Sequence, residues 1–236
     1  MSSLDFTYDH IDDVLPRGAW VAPEIDPART MLLVLDVQNL IVNETGAAYV
    51  KSVGGAPEGK DTLEPIKRVL EACRDKEIPV VWSLWGLRPD GRDAGLAKDK
   101  WPGLDCGAPE SPASWGNPTG DDQLHPDMKP LDGEPVMYKH RFSSFYNTPL
   151  EEYLREDDRD TLIIVGVTSA NCMHATALDG WNKNYKIVCV ADTTTAVPAP
   201  NEEQPLGYGQ HWEALRNIQM NYGDVLLSTE LLEKLK

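Results

Sequence analysis

Leu162-Ile163-Ile164-Val165-Gly166-Val167 is an apolar run rich in β-branched residues, and it ends in Thr168-Ser169-Ala170-Asn171-Cys172. An apolar run without polar alternation reads as a strand buried on both faces, as in a parallel sheet covered by helices. Directly behind it, Met173, Thr176, Ala177, Gly180 and Trp181 recur at i, i+3, i+4, i+7 and i+8, the apolar stripe of a helix. Cys172 is therefore expected where a strand turns into a helix, with Asn171 as the N-cap. A helix N-terminus offers unpaired N–H groups and a positive dipole end. Both favour a thiolate and suit an oxyanion. A small buried packing residue is the other reading of a free cysteine, so the rest of the chain has to decide.

Strand-like and helix-like segments alternate along the chain. Residues 31–37 read as the first buried strand, with Asp36 near its end. Leu63, Ile66, Val69, Leu70 and Cys73 mark an amphipathic helix, and 79–85 a second buried strand. Val136-Met137-Tyr138 is a short strand leading into Lys139. Thr148-Pro149-Leu150-Glu151 predicts a helix start, with Thr148 and Glu151 as a capping box. Residues 186–191 and 224–227 complete six strands, with a helix over 211–220 and a last one over 229–235 capped by Ser228. This alternation predicts a three-layer α/β/α fold of Rossmann-type topology around a mainly parallel six-stranded sheet. The chain reads as one domain over 1–236, with an N-terminal arm at 1–29 and a long insert loop at 86–134. A structureless loop of that length is usually functional or flexible, so the insert is expected to cover a site or an oligomer interface. Packing is the default for its Trp101, Trp115 and His125.

The net charge of −16 argues against nucleic acid or an anionic membrane as a partner and leaves a small-molecule substrate open. Cys73, Cys106, Cys172 and Cys189 show no CxxC spacing. That fits a reducing compartment, hence the cytoplasm, and no structural zinc. No secretion signal is read at the N-terminus, and no apolar run approaches the roughly 18 residues of a membrane helix.

Asp36, Lys139 and Cys172 then stand at the ends of three separate strands. A carboxylate in an apolar run is costly to bury unless paired, and open α/β sheets place their sites at the C-terminal ends of strands. A thiol needs a base or a nearby cation to become a nucleophile. Asp36 can serve as the base and Lys139 as the cation. There is no Gly-x-Ser-x-Gly elbow, P-loop or dinucleotide fingerprint.

The segments Leu33-Val34-Leu35-Asp36-Val37-Gln38-Asn39, Lys139-His140-Arg141-Phe142-Ser143-Ser144-Phe145 and Gly166-Val167-Thr168-Ser169-Ala170-Asn171-Cys172, in that order, resemble the isochorismatase-like cysteine hydrolase superfamily. Asp192-Thr193-Thr194-Thr195-Ala196 resembles its post-strand turn. The resemblance implies an Asp36–Lys139–Cys172 triad, a cis peptide between Val167 and Thr168, and an oxyanion hole from the N–H groups of Thr168 and Cys172. It also implies a homodimer or homotetramer. Nicotinamidases of this group carry metal ligands just past the second strand. Ser83-Leu84-Trp85-Gly86-Leu87-Arg88 supplies none, so no metal and no cofactor are expected. True isochorismatases generally lack the nucleophilic cysteine, so Cys172 favours C–N cleavage of an amide, ureido or carbamoyl group through a thioester. The alternatives are vinyl-ether hydrolysis of isochorismate and a non-catalytic oligomeric scaffold. Gln38, Asn39, Trp85, Phe142, Phe145, Tyr146 and Asn147 are the candidate substrate-binding residues. Ala170-Asn171 stands where relatives often have Asn-Val.

Overall fold

The computed structural model describes residues 11–17, 24–198 and 207–236. Residues 1–10 and 18–23 of the expected arm lie outside the described residues, as do 199–206. Six strands form one sheet: β1 (Thr30–Leu35), β2 (Val80–Trp85), β3 (Val136–Lys139), β4 (Thr161–Gly166), β5 (Lys186–Val190) and β6 (Asp224–Leu226). Their order is β3-β2-β1-β4-β5-β6 and every pair is parallel. The chain winds outward one way from β1 through β3 and the other way from β4 through β6. The order therefore reverses between β1 and β4, where open sheets of this kind leave a crevice at their C-terminal edge.

The described helices are α1 (Ile11–Val14), α2 (Asn39–Val42), α3 (Leu63–Asp75), α4 (Ala97–Lys100), α5 (Leu150–Glu156), α6 (His174–Asn182), α7 (Gln210–Asn221) and α8 (Ser228–Lys234). Alternate strand residues sort the two faces, as the two-residue period of a strand requires. Leu32, Val34, Trp82, Ile163, Val165 and Val188 pack with α3 and α8. Met31, Leu33, Leu35, Val81, Ile164 and Cys189 pack with α1, α5, α6 and α7. The result is the three-layer arrangement expected from the sequence. Among the described residues no helix is long and apolar enough to cross a membrane.

Helix starts differ from expectation in three places. Thr148 Oγ1 does accept from Leu150 N–H at 3.3 Å, but Glu151 turns to Lys183 and Arg155 rather than back to Thr148. The capping box is not made: the helix starts at Leu150 with Pro149 as its cap residue, and two cations hold the Glu151 carboxylate. Ser228 is the first residue of α8 rather than its cap, and its N–H donates to Asp192 Oδ1 at 2.7 Å. That cap comes from the turn after β5, which no local pattern reveals. Asn171 lies inside a π-helical turn, Ser169–Met173, that precedes α6. Met173 in that turn and Thr176, Ala177 and Gly180 in α6 face inward, whereas Trp181 at the edge of the stripe is 52% exposed.

The 86–134 insert has structure of its own. Leu87, Ala94, Cys106 and Ala113 form a small core with Trp85, Ala97, Trp101 and Leu104 around it. Its far end is zipped to the chain after β1. Asn39 and Leu40 donate backbone N–H bonds to Gln123 and Asp121, and His125 donates to Val37, each at 2.9 Å. A dedicated core and a backbone zipper replace the free loop expected from its Gly, Pro and Asp content.

Candidate active site

Asp36 follows β1 directly in the left-handed region, φ 48°, which Asp tolerates better than most residues. Its N–H donates to Ser83 O at 2.7 Å, so the end of β2 holds it in place. Gly166 ends β4 beside it, paired with Leu35. A Cβ at Gly166 would lie 2.1 Å from Leu35 O, and its φ is +100°. Only glycine lets the two strand ends approach this closely. The Val167–Thr168 peptide that follows is cis. The Thr168 carbonyl then accepts from Asn171 N–H at 3.3 Å and from Met173 N–H at 3.1 Å. The latter is the i→i−5 bond of a π turn, a device found often at functional sites. Thr168 Oγ1 donates to Asn171 Oδ1 at 3.0 Å, which braces the turn that presents Cys172.

Lys139 ends β3, two strands from β1, and is 1% exposed. Its Nζ donates to Asp36 Oδ2 at 2.6 Å and to Cys172 Sγ at 3.1 Å. Asp36 is 5% and Cys172 7% exposed. A buried ammonium and a buried carboxylate each lose several kcal/mol of hydration. A short, charge-assisted bond between them offsets that loss and explains how both remain in the interior. Asp36 Oδ1 is also buried and has no hydrogen-bond partner.

The electrostatics assign unequal states to the three groups. Burial pushes the Asp36 carboxyl up, while Lys139 and the thiol pull it back. Burial works against the Lys139 charge, but Asp36 and the sulfur outweigh it and hold the ammonium above its ordinary value. Burial and then the Asp36 charge push the Cys172 thiol up to about 12, against the pull of Lys139. Burial and the neighbouring carboxylate thus both favour the neutral thiol over the thiolate. Against the helix N-terminus that was expected to favour a thiolate stand the desolvation of Cys172 inside the turn and the Asp36 charge beside it. The arrangement is a raised thiol beside a raised carboxylate, both held by one ammonium.

The other sequence candidates divide. Gln38 is 3% exposed and fully engaged. Its Nε2 donates to Trp85 O at 2.9 Å and Asp122 O at 2.8 Å, and its Oε1 accepts from Trp85 N–H at 2.8 Å. Asn39 Nδ2 donates to Gly120 O at 3.0 Å. Both side chains tie the insert down. Phe145 packs in the core, its ring stacked 5.7 Å from Tyr185. Tyr146 is 51% exposed and meets His140 edge-on, and Asn147 is exposed. Trp85, Trp101 and Phe142 form a continuous aromatic group, with centroids 6.4 and 5.4 Å apart. They lie at and just beyond the C-terminal ends of β2 and β3. Trp115 packs edge-on against Tyr138, and His125 Nδ1 accepts from Asp127 N–H. Sequence reasoning missed the buried hydroxyls of Ser83, Ser144 and Thr176. The one signal available was a serine inside Val-Val-Trp-Ser-Leu-Trp.

Comparison with known proteins places this architecture. The isochorismatase domain model matches residues 30–218. The ureidoacrylate amidohydrolase RutB of Methylobacterium radiotolerans is 30% identical, with 84% of this chain and 76% of that protein covered. Enterobactin synthase component B of Escherichia coli K12 is 28% identical over 88% of this chain and 64% of that protein. Among solved structures, a cysteine hydrolase from Pseudomonas syringae pv. phaseolicola superposes with a TM-score of 0.79. It is 27% identical, over 91% of this chain and 96% of that one. With the model spanning all six strands but the last, and these relatives sharing most of its length, this chain belongs to the isochorismatase-like cysteine hydrolase superfamily.

Proposed function

We propose that the protein hydrolyses a C–N bond in a small amide, ureido or carbamoyl compound, with Cys172 as nucleophile, Asp36 as acid–base and Lys139 as electrostatic partner. The observation that carries the reading is a single buried ammonium that donates at once to a carboxylate at 2.6 Å and to a sulfur at 3.1 Å. The similarity to an amidohydrolase named for ureidoacrylate supports the substrate class.

In this reading Asp36 Oδ1 takes the proton from the Cys172 thiol as sulfur attacks the carbonyl carbon. The C–S bond forms and the carbonyl electrons move to oxygen. The N–H groups of Thr168 and Cys172, in the turn braced by Asn171, hold that oxyanion. The intermediate collapses by breaking the C–N bond, and Asp36 returns the proton to the leaving nitrogen. Water then loses a proton to Asp36 and attacks the thioester carbon: the C–O bond forms, the C–S bond breaks, and Asp36 returns the proton to the sulfur. Lys139 keeps Asp36 charged between steps and lowers the cost of negative charge on sulfur. The aromatic group of Trp85, Trp101 and Phe142 is proposed to bind the body of the substrate, at the strand ends where this fold places ligands.

A homodimer or homotetramer in the cytoplasm belongs to the same proposal. Leu178, Trp181 and Met220, at least a third exposed on the adjoining helices α6 and α7, support an association face.

The test is a panel of ureas, carbamoyl compounds, primary amides and isochorismate, run on wild type and Cys172→Ala. Turnover of a carbamoyl or amide compound, lost by roughly 10³-fold or more without the thiol, is the expected result. Isochorismate turnover that survives the substitution would overturn it in favour of vinyl-ether hydrolysis. Failure of every compound, with a thiol inert to alkylation, would favour the scaffold.

A further inference from the structure

Three buried hydroxyl residues that the chemistry above does not use are joined in a line, partly through their hydroxyls and partly through their backbone. Ser83, Ser144 and Thr176 are each fully buried. Ser83 Oγ and Ser144 Oγ lie 3.1 Å apart, and Ser144 N–H donates to Thr176 Oγ1 at 3.0 Å. At one end of the line, Ser83 O accepts the Asp36 N–H at 2.7 Å. At the other, Thr176 lies one turn past Cys172 on the same helical run. In the middle, Ser144 stands in the segment that leaves β3 just after Lys139. One hydrogen-bonded line thus touches each chain segment that carries a member of the Asp36–Lys139–Cys172 group.

We propose that Ser83, Ser144 and Thr176 are positioning residues that set the distance of Cys172 from the Asp36–Lys139 pair. The proposal rests on the reading that those three side chains react. Its physical basis is the difference between apolar and polar contacts. Leu35, Phe145, Met173 and Ala177 also join these segments, but dispersion is non-directional and tolerates small slides. A buried hydrogen bond is directional, and leaving one partner unpaired is costly. Apolar groups of the same shape in place of both partners would be nearly neutral for stability. The hydroxyls therefore add geometric definition that packing alone does not supply. A displacement of about 1 Å at a reacting group can cost about a hundredfold in rate.

Thr176→Val keeps the side-chain shape and removes the acceptor, whereas Thr176→Ser keeps the acceptor. The full-length variants are compared by the pH dependence of Cys172 labelling with iodoacetamide, resolved by peptide mass spectrometry. They are compared also by kcat and KM on the best carbamoyl or amide compound from the panel, with far-UV circular dichroism and urea midpoints as controls. Thr176→Val is expected to shift the labelling midpoint and to lower kcat about tenfold or more, with KM within about twofold of wild type. Thr176→Ser is expected to restore both. A folded Thr176→Val protein that labels like wild type overturns the proposal. If Thr176→Val does not fold, the Ser83→Ala/Ser144→Ala double variant, which removes both hydroxyls together, is read by the same criteria. If wild type hydrolyses no compound in the panel, the proposed function falls, and the labelling profile alone decides whether these residues position Cys172.

Discussion

Lys139 Nζ lies 2.6 Å from Asp36 Oδ2 although β2 separates the strands from which the two residues come, and both side chains are sealed from solvent. A pair of this kind is poor evidence of stabilisation, since desolvation consumes most of the attraction. It is good evidence of interdependence, because either charge alone would be stranded.

Lys139→Met is therefore expected to destabilise the fold by about 3–5 kcal/mol, since it leaves Asp36 charged and unpaired in the interior. Lys139→Met combined with Asp36→Leu should recover much of that loss while remaining inactive. Urea unfolding of the single and double variants checks this. A double variant no more stable than the single would contradict the stranded-charge account.

In the proposed mechanism Asp36 must be ionised to accept the thiol proton, and burial raises its pKa. Activity is therefore lost as pH falls through that raised value. The acid limb of kcat/KM should sit above the ordinary carboxylate pKa of about 4. A pH–rate profile whose acid limb falls at or below that value would show that Asp36 is not the limiting base.

Cys73 and Cys172 are both pushed up to about 12, in each case first by burial, and Cys189 is raised as well. Thiols raised in the folded state contribute stability that is complete below their unfolded pKa, near 8.5, and is lost as pH rises toward the folded values. In that window the unfolded chain binds fewer protons, so stability falls with pH by up to about 1.4 kcal/mol per unit per thiol. Urea midpoints at pH 8 and pH 10 should show the fall. Cys73→Ala, less stable at pH 8 for lost packing, should fall less steeply between the two. Parallel pH dependences would contradict this assignment.

Gln38→Ala removes three side-chain bonds that join the end of β1 to Trp85 and to Asp122. At about 1 kcal/mol each, the loss should be roughly 2–4 kcal/mol. It should also be local, because the insert has its own small core and can detach as a unit. Limited proteolysis is expected to cut first between residues 116 and 126. Cleavage sites unchanged from wild type would contradict this role.

The layers of the fold were legible in the sequence because each rests on a local period. The runs at 31–37, 79–85 and 161–167 read as buried strands; β2 and β4 fall within the last two, and β1 begins one residue before the first. The stripe from Leu63 to Cys73 marked α3. Asp36 and Lys139 stood out because a charge at the end of an apolar run has to be answered somewhere. What answers it depends on strand order, which no local period encodes. Caps behaved alike: Ser228 read as a cap, yet its N–H is bound by Asp192, 36 residues earlier in the chain. The aromatic candidates were indistinguishable as letters, and the fold sends Phe145 into the core while it groups Trp85 with Trp101 and Phe142.

The sequence by itself determined the alternation of strand and helix, and the presence of an acid, an amine and a thiol at three strand ends, because hydrophobic periodicity and the cost of burying charge act on neighbours along the chain. Tertiary structure alone decided that these three meet around one ammonium, and that burial beside a carboxylate raises the thiol. Distance and desolvation belong to the packed interior and not to any stretch of residues.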